Sequence, residues 1–176
     1  MSRYHELAAK VDGFFARVTD RHGGDMQCGS GCSDCCQVRL TVTAVEAQAL
    51  RDEVATWAPA RRAALAANVA RSRGHCAALD PTGRCLVYEA RPIVCRSHGA
   101  PVRMTKHSLP VIASPGEPGR VGSVAESSIE SCFRNFVTVT PDPDCIIAQT
   151  TLSALVLAVN GGDDTRIDLA ELLASC

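Results

Sequence analysis

The feature that most constrains this chain is the run CGSGCSDCC, which places four cysteines within nine residues. They are Cys28, Cys32, Cys35 and Cys36. Each thiol can lose its proton and act as a soft ligand for a metal ion. Four such ligands so close together predict a metal site, because packing in a core does not require thiols at this density.

The rest of the chain carries further cysteines, spread over its middle and its end. They are Cys76, Cys85, Cys95, Cys132, Cys145 and Cys176. Ten cysteines in 176 residues is a high count, but it lies below the density of a small disulfide scaffold. A chain of this length can bury a sufficient core without crosslinks, so we expect a single domain over residues 1–176.

The expected compartment decides how the thiols behave. The first residues contain no apolar stretch followed by a cleavage site, so they do not resemble a secretory signal. The longest apolar segment, residues 145–159, is interrupted by polar residues and is too short to span a bilayer. We therefore expect a cytoplasmic protein without a membrane partner, in which thiols stay reduced unless a metal holds them. Disulfides are the alternative interpretation.

Charge and composition argue against a nucleic-acid partner. The net charge is -1, and aromatic residues make up only 4% of the chain. Proteins that bind nucleic acids carry basic patches and often stack bases on aromatic side chains. A metal ion is therefore the expected partner.

Hydrophobic periodicity in the first half of the chain predicts helices. Apolar residues recur at helical spacing over residues 4–18, and two glycines follow where that helix should end. Thr43 and Glu46 have the spacing of a capping box, which predicts a second helix from there. Pro59 suits the first turn of a third helix, which should run to about Arg73.

The second half of the chain predicts a hairpin and two more helices. Residues 102–113 alternate in polarity as a short β-hairpin does, with its tip near residues 106–108. A fourth helix is expected over the apolar residues 146–159, and a short last helix over residues 167–173. The predicted fold class is mainly α with a short β-hairpin.

The spacing inside the cysteine run raises a geometric question. Cys32 and Cys35 form a C-x-x-C pair whose preceding glycine lets both sulfurs face one ion, and Cys28 is close enough to join them. Cys36 is different, because adjacent side chains point apart in extended backbone. Without a special turn, one of Cys35 and Cys36 is a spectator, or the two serve different metals or bridge a cluster.

The middle cysteines are spaced so that a turn can bring two of them together. Cys76, Cys85 and Cys95 follow one another at intervals of nine and ten residues, with a strong turn signal at residues 80–83. Arginines flank Cys95 and offer positive charge and hydrogen bonds to thiolates. These are Arg91 and Arg96; alternatively, Arg91 only pairs with Glu89 or solvent.

The remaining candidates are ambiguous. Cys132 sits among phenylalanines and is either a ligand or a buried structural thiol. We interpret Cys145 as packing and Cys176, the last residue, as a non-ligand. His75 and His98 lie next to cysteines, and either can replace a sulfur ligand, although a hydrogen-bonded role is more typical.

Two enzymatic interpretations use the same residues. The spacing C-x-x-x-C-x-x-C is that of the [4Fe–4S] cluster of radical S-adenosylmethionine enzymes, but the chain lacks their repeated βα units and has Asp34 where an aromatic residue is usual. A nucleophilic Cys95 with His98 as base is the other. Metal ligation accounts for the crowd of thiols more simply. Phosphate-loop and serine-hydrolase motifs are absent from the sequence.

These motifs together resemble the YkgJ-type cysteine-cluster family, described as a zinc- or iron-chelating domain. The resemblance covers residues 25–137 and consists of CGSGCSDCC, the helix start LTVTAVEA, the segment HCAALDPTGRCLVYEARPIVCRSHG and a late cysteine in SCFRNF. The first gap, between Cys28 and Cys32, holds three residues where the family name implies two. Cys28 therefore departs from the family's spacing. The resemblance implies zinc or iron bound by cysteines. A distant similarity to flagellin lysine N-methylases leaves an iron–sulfur methyltransferase activity open.

The sequence thus predicts a small domain organised around a cysteine-ligated metal centre. We divide it into a cysteine-cluster metal-binding region, residues 25–137, and a C-terminal helical segment, residues 141–175. Eight candidate ligands would fill two four-ligand sites, or one iron–sulfur cluster and one zinc site. They are Cys28, Cys32, Cys35, Cys36, Cys76, Cys85, Cys95 and Cys132.

Two functions from different classes fit such a centre. One is zinc or iron binding in a structural or metal-handling role, with all metal ligands supplied by the protein. The other is an iron-dependent redox or group-transfer enzyme, with an open coordination position. Thiolates suit both metals, so zinc and iron both stay open.

Overall fold

The computed structural model describes residues 2–29, 31–106 and 126–176. Within them the fold is mainly α, as the sequence predicts, with small sheets. The helices are α1 Arg3–His22, α2 Ala44–Ala55, α3 Pro59–Arg71, α4 Ile93–Ser97, α5 Gln149–Val159 and α6 Leu169–Ala174. No helix in these ranges combines the length and apolar character needed to cross a bilayer.

The helix starts of the first half follow from local sequence. Thr43 and Glu46 form the predicted capping box of α2, in which each residue bonds the backbone of the other. Pro59 occupies the first turn of α3, where its missing N–H costs nothing. The first three predicted helices are therefore confirmed.

Two C-terminal helices begin later than predicted because short strands precede them. Ile147–Ala148 forms strand β4, so α5 starts only at Gln149. Ile167–Asp168 forms strand β5, and the Asp168 carboxylate then accepts hydrogen bonds from the first N–H groups of α6. Apolar residues at the start of each segment satisfy a strand as well as a helix, which periodicity alone does not separate.

Two small sheets connect distant parts of the chain. Strand β1, Thr41–Val42, pairs antiparallel with β5. Strand β2, Val102–Lys106, pairs antiparallel with β3, Glu126–Glu130, and parallel with β4. The predicted first strand is thus confirmed, but its partner is Glu126–Glu130, while the rest of the predicted hairpin, residues 107–113, lies outside the described residues.

The core consists of three apolar clusters. The largest joins α2, α3 and α6 to the loop that carries Cys76, with Leu50 and Leu65 almost completely buried. A second cluster packs α1 against α2 and Ile93 of α4, with α5 alongside. The third surrounds Val18 at the far end of α1. The cysteine run and the loop around Cys76 therefore sit on a rigid helical base.

Candidate metal centre

The cysteine run folds as two tight turns. Gly31 adopts a φ of +91°, which favours glycine, and the Cys32 N–H donates to the carbonyl of Gly29. Asp34–Cys36 then forms a 3-10 turn, closed by the hydrogen bond from Cys36 N–H to Ser33 O at 2.9 Å. The short polar and glycine residues of the run permit this curvature.

The 3-10 turn brings the sulfurs of Cys35 and Cys36 to 4.0 Å. Two thiolates on one tetrahedral zinc ion, each bonded at its usual length, lie about 3.8 Å apart. The expectation that these neighbours point apart assumed extended backbone. In the folded chain the backbone between them is helical, and the two thiols point to the same side.

Cys76 joins this pair from the middle of the chain. Its N–H donates to the carbonyl of Cys36 at 2.8 Å, which fixes the loop to the turn. The Cys36 thiol interacts with both neighbours. Hydrogen bonding to Cys36 lowers the pKa of Cys35 to about 7 and that of Cys76 to about 6, whereas these contacts raise the pKa of Cys36 itself. Of these three thiols, Cys36 therefore holds its proton most strongly.

The predicted turn at residues 80–83 returns the chain to Cys76. The Asp80 carboxylate accepts from Thr82 and from the N–H of Arg84, and Gly83 has a φ of +80°. Leu79 and Cys85 then pair as an antiparallel bridge. Burial raises the pKa of the Cys85 thiol, and the thiol of Cys76 adds to the rise.

Cys95 enters the same neighbourhood on α4. Burial raises its pKa to about 12, with further contributions from the thiols of Cys76, Cys85 and Cys35. The α4 helix is held by Glu46, whose buried carboxylate accepts from Ile93 N–H at 3.0 Å as well as from Thr43. We call Cys36, Cys76, Cys85 and Cys95 the Cys76 group.

The two arginines beside Cys95 have a different role from the predicted one. Arg91 and Arg96 both bind the carboxylate of Asp12 on α1, at 3.1 and 2.5 Å. Arg96 also donates to the carbonyls of Arg91 and Glu89. Their donors thus connect α1 to α4 and the segment before it. The positive charge of Arg91 also opposes the rise in the pKa of Cys85.

A second set of thiols surrounds the start of the cysteine run. Burial raises the pKa of Cys28, and the neighbouring thiols of Cys132, Cys32 and Cys35 raise it further. The thiols of Cys32 and Cys132 contribute to a raised pKa of Arg134, and the guanidinium of Arg134 pairs with Asp34. We call Cys28, Cys32 and Cys132 the Cys28 group. Cys35 interacts with members of both groups.

Two residues that the sequence did not indicate hold the Cys28 group. Asn135 is buried; its Nδ2 donates to Cys28 Sγ at 3.1 Å and to Gly99 O at 2.8 Å, while its Oδ1 accepts from Gln27 N–H. Gly99 has a φ of +96°, and a Cβ there would lie 2.5 Å from Cys28 Sγ. A lone glycine and a lone asparagine carry no spacing signal, so periodicity and motif reading pass over them.

The eight candidate sulfurs lie near one another, but they are not all at the distances that ligands of one ion require. In the described part of the chain, no three of the eight candidate sulfurs lie within 4.8 Å of one another. All ten cysteines are free thiols. Cys145 is buried in the core, as expected, and Cys176 is exposed. His75 bonds the carbonyl of Arg73.

A cavity of about 650 Å³ lies beside the Cys28 group. Its lining includes Glu46, His98, Gly99, Cys132 and Leu152. This volume falls within the range of small-molecule sites. It could not be predicted from the sequence, because its walls come from α4, α5 and the strands of the larger sheet.

One of three comparisons with known proteins found a match, and it points to the same residues. A search of curated proteins and a search of solved structures each found no match. Residues 27–111 match the CxxCxxCC family model, described as "Putative zinc- or iron-chelating domain". That span contains seven of the eight candidate ligands and excludes Cys132, and the match supports metal binding through cysteines. The matched family is the same cysteine-cluster family that the YkgJ-type motifs indicated.

Proposed function

We propose that this protein binds zinc or iron in a two-metal thiolate centre built from its eight candidate cysteines. The observation that carries the proposal is the 4.0 Å separation of the Cys35 and Cys36 sulfurs on a 3-10 turn. This separation suits two thiolates that share one ion or bind neighbouring ions. The turn would provide one sulfur to each of the two groups of distant thiols.

The neighbours of each thiol support a division into two four-ligand sites. Cys36, Cys76, Cys85 and Cys95, the Cys76 group, would hold one metal. The Cys28 group contains only three thiols. Cys35 is the one further thiol among those that raise the pKa of Cys28. We therefore assign Cys35 to the second metal, together with Cys28, Cys32 and Cys132.

Charge supports thiolate ligation at both sites. Four thiolates on a divalent ion leave a net charge of about -2, which must be offset where water is partly excluded. Arg134 stands beside the Cys28 group and Arg91 beside Cys85. The backbone N–H groups of Ala78 and Leu79 also lower the pKa of Cys76. Metal binding would draw each set of sulfurs inward, since no three of them lie within 4.8 Å of one another in the described residues.

The role we favour is structural or metal-handling, in a reducing, cytoplasmic compartment. Closed sites of four thiolates contribute folding free energy directly, because the ligands are assembled only in the folded chain. The eight ligands come from segments that lie far apart in the sequence, so the metals would fix residues 25–137 as one unit and leave residues 141–175 as a C-terminal segment packed on it.

A second function is favoured by the cavity beside Cys132. An iron site with an open position at the Cys28 group would face a space of about 650 Å³, large enough for a small substrate. The bound metal would supply redox or Lewis-acid chemistry. Glu46, His98 and Cys132 line this space and would orient the substrate. This is the iron-dependent redox or group-transfer alternative.

Metal analysis of the full chain, purified without oxygen, tests the proposal. We expect two zinc or iron ions per chain; zinc leaves the protein colourless, and iron gives thiolate-to-iron absorption. An iron–sulfur cluster would add acid-labile sulfide. Cys132→Ser should lose the ion of the Cys28 group, Cys95→Ser the other ion, and Cys176→Ser neither. Protein with ten titratable thiols and no bound metal would overturn the proposal.

A further inference from the structure

A different cluster of ligand-type side chains lies at the other end of α1. His22 is the last residue of that helix, and Asp142 and Cys145 belong to the turn that precedes β4. One ligand atom from each of the three lies within 4.8 Å of the other two. None of the three belongs to the eight candidate ligands, and all lie outside residues 27–111.

The distances suit a tetrahedral ion. His22 Nε2 and Asp142 Oδ2 are 3.5 Å apart. Nitrogen and oxygen ligands on one zinc ion, each at its usual bond length, lie about 3.4 Å apart. The sulfur of Cys145 faces this pair from the core side, where its residue is only 1% exposed.

The imidazole of His22 is already oriented as a ligand. The backbone N–H of Asp142 donates to Nε2 at 3.3 Å, so this nitrogen carries the lone pair, and an ion bound there would replace this long hydrogen bond. The proton then sits on Nδ1, which faces the carboxylate of Asp25 at 3.6 Å. The ring of Phe136 packs against the imidazole edge-to-face at 5.3 Å. Metal-bound histidines typically place their second nitrogen against a carboxylate in this way.

The charges also balance. One thiolate and one carboxylate neutralise a divalent ion, so a half-buried site would carry no net charge. Arg21 stands nearby, but its guanidinium pairs with Asp144 at 2.5 Å and lies 3.8 Å from Asp142. An ion at Asp142 would therefore displace only the longer of the two ion pairs of Arg21.

We propose that His22, Asp142 and Cys145 form a mixed-ligand site for a zinc-class divalent ion, separate from the thiolate centre. The combination of thiolate, imidazole and carboxylate is typical of zinc ligation. Asp142 has a half-exposed side chain, so water can reach the fourth position. The ion would tie the end of α1 to the turn before β4.

Cadmium NMR of the full chain tests this site without relying on activity. With ¹¹³Cd²⁺ as the probe, we expect the wild type to show thiolate-rich resonances and a further resonance shifted by its nitrogen and oxygen ligands. His22→Gln and Cys145→Ser should abolish only the further resonance. His5→Gln and Cys176→Ser, which change an exposed histidine and an exposed cysteine, should leave every resonance in place.

Two results would overturn the proposal. One is a wild-type spectrum without a mixed-ligand resonance, and the other is a resonance that survives in His22→Gln. Because Cys145 is buried, Cys145→Ser can unfold the chain; Asp142→Asn changes a half-exposed side chain and then takes its place, with loss of the same resonance expected.

Discussion

The side-chain amide of Asn135 donates a hydrogen bond to the sulfur of Cys28 at 3.1 Å, across 107 positions of sequence. The same amide bonds Gly99 O and Gln27 N–H, so one buried residue connects three separate segments at the Cys28 group. A donor aimed at a sulfur stabilises its thiolate form. Asn135 thus both positions Cys28 and favours the thiolate form that binds a metal.

Replacing this amide should cost both stability and metal. In Asn135→Ala, the buried Gly99 carbonyl and Gln27 N–H lose their partner, so we expect the free energy of unfolding to fall by about 2 kcal/mol. Urea denaturation measures the change, and metal analysis should show partial loss. Gln37→Ala removes an exposed amide that donates to Ser33 O and is the control. Equal effects of both variants would contradict the assigned role.

Gly99→Ala separates crowding from backbone strain. The new Cβ would lie 2.5 Å from Cys28 Sγ, in a backbone conformation that alanine rarely adopts. Gly161→Ala meets the same kind of strain, with a φ of +71°, but has no heavy atom within 4 Å. We expect each variant to lose about 1 kcal/mol of stability from strain. Only Gly99→Ala should also lose the metal of the Cys28 group, measured as metal per chain.

Glu46→Gln tests the link between α2 and the Cys76 group. The buried carboxylate accepts from Thr43 N–H, Thr43 Oγ1 and Ile93 N–H, and an amide would place donors against donors. We expect a loss of about 2–3 kcal/mol in the free energy of unfolding, measured by urea denaturation. Glu6→Gln, on the exposed face of α1, is the matched control and should be near neutral. A neutral Glu46→Gln would show that the carboxylate is not needed.

Alkylation of metal-stripped protein tests the acidity of the cysteine run. Hydrogen bonding to Cys36 lowers the pKa of Cys35 to about 7, whereas partial burial raises the pKa of Cys176 above that of an ordinary thiol. At pH 7 about half of Cys35 is therefore thiolate, the form that reacts. Mass spectrometry should find Cys35 labelled by iodoacetamide first, with a rate that rises through pH 7.

Labelling in urea provides the control, because unfolding removes the contact with Cys36 and the two rates should converge. Faster labelling of Cys176 than of Cys35 in the folded chain would contradict the prediction.

Much of the helical frame could be predicted because its signals are local. The capping box at Thr43 and Glu46, and Pro59 at the start of α3, each specify a helix end within a few residues. The pairing of β2 with Glu126–Glu130 could not be predicted, since the partner strand is separated from β2 by many residues and lacks an alternating apolar pattern.

The candidate site was predictable in composition but not in arrangement. Residue type alone marked the thiols as candidates, because clustered cysteines are typical metal ligands. The convergence of Cys35 and Cys36 depends on backbone dihedrals that spacing does not reveal. The roles of Asp12, Gly99 and Asn135 arise only from tertiary contacts.

The hydrogen bond from Cys76 N–H to Cys36 O has a consequence for biosynthesis. During translation, the run at residues 28–36 leaves the ribosome before its partners at Cys76, Cys95 and Cys132 exist. The nascent chain therefore presents bare thiols that have no assembled pocket, and an ion captured then would be held by an incomplete ligand set. We expect loading to follow chain release, so the free thiols would need protection from oxidation throughout synthesis.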